Sequence, residues 1–172
     1  MMELRIRPEI ASDDAAIADV HRTAFPTDAE ARLVRALRTA GALTLSLLAE
    51  DAHNTIGHIA FSPVIVKRPD GSQVNGIGLA PMAVRPAFQR RGIGAQLIAA
   101  GLGHLRTMGC RFCVVLGHRH YYPKHGFSAA ATLGLTWAGG TASSPFFVQP
   151  LQPDGLRGVS GVAHYHAAFD AL

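Results

Sequence analysis

Gln89-Arg90-Arg91-Gly92-Ile93-Gly94-Ala95-Gln96-Leu97 is the stretch on which the reading of this chain turns. It leads into Ile93, Leu97, Ile98, Leu102, Leu105 and Met108, which recur at helical spacing until Gly109 closes the run. The first N–H groups of a helix lack intrahelical acceptors, and the helix dipole favours negative charge at that end. Glycines 92 and 94 let those groups approach an anion closely, and Arg90 and Arg91 add positive charge. The stretch therefore reads as a phosphate cradle at a helix start. Gly-Ile-Gly alone would say no more than that a helix packs closely on a sheet.

On either side of this helix lie runs with strand character. Gly76 to Val84 precedes it, and Cys110 to Leu116, short, apolar and rich in β-formers, follows it. Strand, helix and strand in this order predict a right-handed crossover with parallel strands. Further upstream, Leu43 to Glu50 and Thr55 to Val66 predict two more strands, with irregularities at Gly57 and Pro63. Asp51 to Asn54 and Pro69 to Ser72 supply turns, so these strands should form an antiparallel meander.

The N-terminus predicts a strand, Leu4 to Arg7, and then two helices. Ser12 and Asp13 are placed to cap the first, whose apolar face is Ile17, Val20 and Ala24, and Pro26 ends it. Thr27-Asp28-Ala29-Glu30 has the capping-box form for the second, with Leu33, Ala36, Leu37 and Ala40 as its stripe and Gly41 as its stop. Downstream, a short helix over Tyr121 to Lys124 precedes a strand from Phe127. Phe146 to Val148 and Val162 to His166 look like strands, with loops at Gly139-Gly140 and over 150–161. No repeat or linker interrupts the pattern. The expectation is one α/β domain spanning 1–172, with a mixed, mostly antiparallel central sheet flanked by helices.

At 172 residues, 48% hydrophobic and 16% charged, the composition is that of a folded globular chain. No apolar run approaches the roughly 20 residues of a membrane span, and Met1 to Ile10 shows no leader-like apolar run. The expected setting is the cytoplasm, with no membrane partner. A charge of +4 and a pI near 9.6 suit an anionic partner. The basic residues are scattered and form only short knots, at 89–91 and 118–120, so a nucleic-acid partner is not expected.

Two common phosphate loops are excluded directly. The dinucleotide fingerprint needs a third glycine, and here Gly92-Ile93-Gly94 continues Ala95-Gln96-Leu97. The nucleotide loop G-x-x-x-x-G-K-[ST] occurs nowhere in the chain. The longer context, Met82-Ala83-Val84-Arg85-Pro86-Ala87-Phe88-Gln89-Arg90-Arg91-Gly92-Ile93-Gly94, resembles the acetyl-CoA motif of the GNAT N-acetyltransferase superfamily. Val114 to Gly117 and then Tyr122-Pro123-Lys124-His125-Gly126-Phe127 look like that family's next strand and its Tyr-x-x-x-Gly-Phe segment. The paired tyrosines, with Gly161, Tyr165 and Phe169, are similar to a bacterial subgroup of small GNAT proteins.

This resemblance implies the GNAT fold, its sheet splayed at a cofactor cleft between Met82–Val84 and the strand ending at Leu116. It implies acetyl-CoA as cosubstrate, bound by Met82, Ala83, Val84, Gln89, Arg90, Arg91, Gly92, Ile93, Gly94, Ala95 and Tyr122. A primary amine of a small molecule or protein would attack the thioester directly. The Val84 backbone N–H would meet the oxygen as it gains charge, and Tyr122 would protonate the departing thiolate. The alternative is that Tyr122 only packs on the cofactor, or donates a hydrogen bond to sulfur without transferring its proton. A homodimer is common in similar proteins.

The base is open. The strand Gly76 to Val84 holds no acidic residue, Glu50 ends an earlier strand, and Glu30 reads as a cap. His58, His118 and His120 have suitable intrinsic pKa values, and His118 departs from the subgroup's pattern. The missing glutamate also admits a catalytically silent CoA-binding protein. His118-x-His120 and His164-x-His166 do not complete a four-ligand set, so no metal is expected. Cys110 and Cys113 lie in a predicted strand and read as ordinary thiols.

Overall fold

In a computed structural model that describes residues 2–172, each element forms where local chemistry and burial agree. The elements are β1 (Leu4–Pro8), α1 (Asp14–Ala24), α2 (Ala29–Thr39), β2 (Leu45–Asp51), β3 (Asn54–Lys67), β4 (Gln73–Val84), α3 (Ile93–Thr107), β5 (Phe112–Leu116), β6 (Ser128–Ala129), β7 (Leu135–Trp137), β8 (Phe146–Pro150) and β9 (Gly161–His164). Short 3-10 turns join several of them, including Tyr122–His125 and Ala167–Ala171. The strands form one open mixed sheet in the order β1-β2-β3-β4-β5-β8-β6, and β9 pairs with both β3 and β7. No helix among the described residues is long and apolar enough to cross a membrane.

The chain divides into two compact units. The first holds the residues up to Phe61, Ala80–Gly101 and Ala167–Leu172. Here β1 pairs antiparallel with β2, and β2 with the first half of β3. The register slips between Ala49–Gly57 and Glu50–Thr55, which leaves Ile56 as the extra residue of a bulge beside Gly57. The Gly57 irregularity is thus realised. A Cβ at Gly57 would stand 3.1 Å from Leu97 and 3.3 Å from Ile93, so its bare backbone seats the first turns of α3. Ile17, Val34 and Leu48 pack together, and Leu33, Leu37 and Ala42 pack with Ala168 and Phe169.

The second unit holds Ser62–Leu79 and Leu102–His166. β4 pairs parallel with β5 at Ile77–Cys113 and Gly78–Val114, the outcome the crossover predicted. β5 runs antiparallel to β8 from Phe112–Pro150 to Leu116–Phe146. Its core is apolar: Val64, Val66, Val74, Phe112, Val114, Leu135, Phe146, Val148 and Ala163 are all buried.

Several local expectations are corrected. Asp13 does not cap α1 with its side chain; its carboxylate accepts from Arg7 (2.8 and 3.0 Å) and from the Ile10 N–H (2.7 Å). An arginine offers a charged, bidentate partner that outcompetes a lone helix N–H. Thr27 accepts from the Ala29 N–H at 3.3 Å, but Glu30 does not complete a capping box, and its Oε2 is buried without a partner. The buried stripe of α2 is Ala31, Leu33, Val34 and Leu37, because Val34 has more apolar surface to remove from water than Ala36. The strand from Phe127 is only two residues long, and β7 was not foreseen.

Candidate active site

In the first unit the candidate residues form a loop built from backbone. β4 ends at Val84, whose side chain is half-buried like that of Met82, while Ala83 is buried. A 3-10 turn over Pro86–Phe88 follows, and Gln89, Arg90, Arg91 and Gly92 are exposed. Arg90 (φ 59°) and Gly92 (φ 80°) both take the left-handed conformation. Only glycine adopts it without strain, and such turns aim successive N–H groups into one concavity. The helix begins at Ile93, and its first intrahelical bond runs from Gln96 N–H to Gly92 O at 3.1 Å. The N–H groups of Ile93, Gly94 and Ala95 thus stand in the positions that a helix leaves unpaired.

Charge agrees with this geometry. Neither Arg90 nor Arg91 forms an ion pair among the described residues, and the Arg91 guanidinium lies 5.5 Å from the Phe88 ring centroid. The loop offers what an anion needs: N–H donors at a helix start, a positive dipole end and two guanidiniums outside any ion pair among the described residues. The Gln89 side chain is engaged within the chain. Its Nε2 donates to Val84 O at 2.9 Å, so the side chain turns back onto the end of β4.

In the second unit the candidate residues are held by rings. After β5, the Gly117 N–H donates to Pro145 O, and the chain turns through 118–121 into the Tyr122–His125 turn. Tyr122 is buried, edge-on to Tyr121 (5.2 Å between centroids) and to Phe127 (5.8 Å). A Cβ at position 117 would fall 2.2 Å from Cε2 of Tyr122, so the tyrosine ring occupies the space that any side chain at 117 would need. Burial, with smaller contributions from Tyr121 and Cys113, pushes the Tyr122 phenol up to about 12. It therefore holds its proton throughout the neutral range.

Residues 43–129 match the family model described as an acetyltransferase (GNAT) domain. The chain is 40% identical to the uncharacterized N-acetyltransferase YhbS of Escherichia coli K12 over 168 residues, covering 96% of this chain and 98% of that one. It belongs to the GNAT acetyltransferase family. The crystal structure of E. coli YhbS in complex with CoA superposes with a TM-score of 0.91 at 39% identity, over 99% of this chain and 93% of that one. A GNAT family acetyltransferase from Brucella melitensis, in complex with acetyl-CoA, gives 0.80 at 39% identity, over 98% and 99%.

For a GNAT enzyme the fate of the candidate bases matters. His58 is fully buried, and both ring nitrogens are engaged, Nδ1 with His21 Nε2 (2.8 Å) and Nε2 with Ser46 Oγ (2.7 Å). Ser46 donates to Glu9 (2.5 Å), which also receives the Arg38 guanidinium at 2.9 and 3.0 Å. Because Ser46 gives its proton to a carboxylate, it accepts from His58, which in turn accepts from His21. Burial, then His21 and Arg38, hold His58 well below its ordinary pKa, and burial pushes His21 down to about 4. This array is a structural polar core, closed to an acceptor amine.

Glu50 is bound to Arg7 at 2.7 Å, and His118 and His120 are exposed. No cluster of three metal-ligating side chains occurs among the described residues. Cys113 is buried, with its thiol pushed up by burial, as an inert core cysteine should be. Sequence reasoning missed His21, Ser46 and Arg38. The one available signal was His21 standing on the same helical face as Ile17 and Val20.

Proposed function

We propose that this chain transfers an acetyl group from acetyl-CoA to a primary amine of a small molecule or protein. The observation that carries the reading is the anion cradle at residues 90–95, in a chain that closely resembles relatives bound to CoA and acetyl-CoA. The diphosphate of acetyl-CoA would take the N–H groups of Gly92 to Ala95, with Arg90 and Arg91 beside it. The pantetheine amides would pair with the backbone of Met82 to Val84 as a peptide pairs with a strand edge.

The chemistry calls on two groups. The neutral amine attacks the thioester carbonyl carbon, forming a C–N bond. The Val84 N–H donates to the oxygen while it carries negative charge. The C–S bond then breaks, the Tyr122 hydroxyl gives its proton to the leaving sulfur, the amine's spare proton passes to water, and the Tyr122 phenolate regains a proton from water. Support for Tyr122 as the acid is its burial and its raised pKa, which keep it protonated at neutral pH.

The test is release of free thiol from acetyl-CoA across a panel of small amines and lysine-bearing peptides. The reading expects turnover with at least one of them, lowered in Tyr122→Phe. Binding of acetyl-CoA with no turnover on any amine would turn the assignment to a CoA-binding protein without catalysis. No binding would remove the reading altogether.

A further inference from the structure

The residue that follows Val84 is held by three separate elements, all within the first unit. The peptide joining Val84 to Arg85 is fixed at both ends: its carbonyl accepts from Gln89 Nε2 at 2.9 Å, and its N–H donates to Ile56 O at 2.8 Å. The Arg85 side chain adds two more ties, from Nε to Thr55 O at 2.7 Å and from Nη2 to the Asp19 carboxylate at 2.6 Å. β3, α1 and the anion loop therefore converge on Arg85 and the peptide that precedes it. Peptide groups are planar, so once this one is held, only φ and ψ of Val84 remain to aim the Val84 N–H.

Gln89 is the informative member. It is the first residue of the anion cradle by sequence, yet its amide nitrogen is committed to Val84 O. The next residue, Arg90, is left-handed at φ 59°, a conformation that costs a non-glycine residue energy and that marks an over-determined position. The loop is thus tied at one end to the strand terminus and opens at the other into the free N–H groups of α3.

We propose that Gln89 and Arg85 are positioning residues that couple the occupied anion loop to the alignment of the Val84 N–H, rather than contacts that hold the cofactor. This rests on the acetyl-CoA reading above. Filling the cradle stiffens residues 90–95, and the Gln89 bond passes that restraint to the donor that meets the thioester oxygen. Removal of the bond leaves the cradle's own donors in place. Affinity should therefore survive while polarisation of the thioester weakens.

The experiment uses acetyl-CoA carrying carbon-13 at the thioester carbonyl, bound to the full-length chain and read by isotope-edited infrared spectroscopy, with calorimetry on the same samples. In the wild type the carbonyl stretch should move to lower frequency on binding. In Gln89→Met, which keeps the length but removes the donor, most of that shift should be lost while Kd stays within about twofold. Gln89→Arg, which restores a donor, should recover it, and Arg85→Met should lose it as Gln89→Met does. A Gln89→Met protein that binds acetyl-CoA tenfold more weakly with its bound carbonyl unchanged would overturn the inference and make Gln89 a cofactor contact. An unchanged shift with unchanged affinity would also overturn it, leaving the acetyl-CoA reading intact. If the wild type fails to bind acetyl-CoA, both fall together.

Discussion

Residues 84–95 and residues 117–127 serve the same proposed reaction but are made from different materials. The first region presents backbone N–H groups, shaped by two left-handed residues and a helix start, on an exposed loop. The second presents one phenol, held by ring contacts and by a glycine that leaves room for it. A backbone site is sensitive to shape and charge and indifferent to most side-chain identities. A ring-held site is sensitive to single side-chain atoms. Substitutions should therefore separate: those at the cradle itself, residues 90–95, act on cofactor affinity, and those at residues 117–127 act on turnover.

The largest effect should come from Gly92→Asp. An aspartate at φ 80° is strained by about 1–2 kcal/mol, and its charge repels a phosphate at a helix N-terminus. The KM for acetyl-CoA should rise by roughly 100-fold or more. A normal KM would break the comparison at its first term.

Tyr122→Phe keeps the ring and removes only the hydroxyl. kcat should fall by roughly 100-fold with little change in KM for acetyl-CoA. Because burial raises this phenol to about 12, wild-type kcat should show no alkaline loss from this group up to about pH 10. An alkaline limb near pH 8 that disappears in Tyr122→Phe would show that the phenol is not held as described.

Gly117→Ala sharpens the same point without touching the tyrosine. Its methyl group would stand 2.2 Å from the ring, so the phenol must shift. A fall in kcat of about tenfold is expected, with acetyl-CoA affinity retained, since misplacing a catalytic group by an ångström costs that much or more.

The smallest effect on activity belongs to the buried histidines, which share the loop's unit but not its role. His21 is near 4 when folded and near 6.5 when unfolded, so the unfolded chain binds more protons between these values. Stability should be complete above about pH 6.5 and decline as pH falls towards 4, by on the order of 3 kcal/mol from His21. Thermal unfolding across that range checks it. A midpoint independent of pH would show that the pair is not buried neutral.

The two regions also differed in legibility. The loop suggested an anion site through glycines and arginines at a helix start, and Tyr122 entered only through the likeness of its segment to the family's Tyr-x-x-x-Gly-Phe. The crossover followed from strand, helix and strand periodicity alone. What stayed hidden depends on pairs distant in sequence. His21 meets His58 across 37 positions, and Asp13 abandons its cap for Arg7, whose neighbourhood is set by sheet pairing. Gln89 is expected at the cofactor from the motif it opens, and nothing local in sequence shows that its side chain folds back to Val84. That depends on a left-handed Arg90, a conformation no propensity assigns to arginine. β7 escaped because three residues between glycine-rich turns carry too little periodicity to register.

The central claim is that a phosphate-bearing acetyl donor sits on the backbone cradle at residues 90–95. Calorimetric titration of acetyl-CoA into the wild type, Gly92→Asp and Tyr122→Phe tests it most directly. The account predicts saturable one-site binding by the wild type and by Tyr122→Phe, and its loss in Gly92→Asp with the fold intact by circular dichroism. Equal affinity in the wild type and Gly92→Asp, or no binding by the wild type, would contradict it.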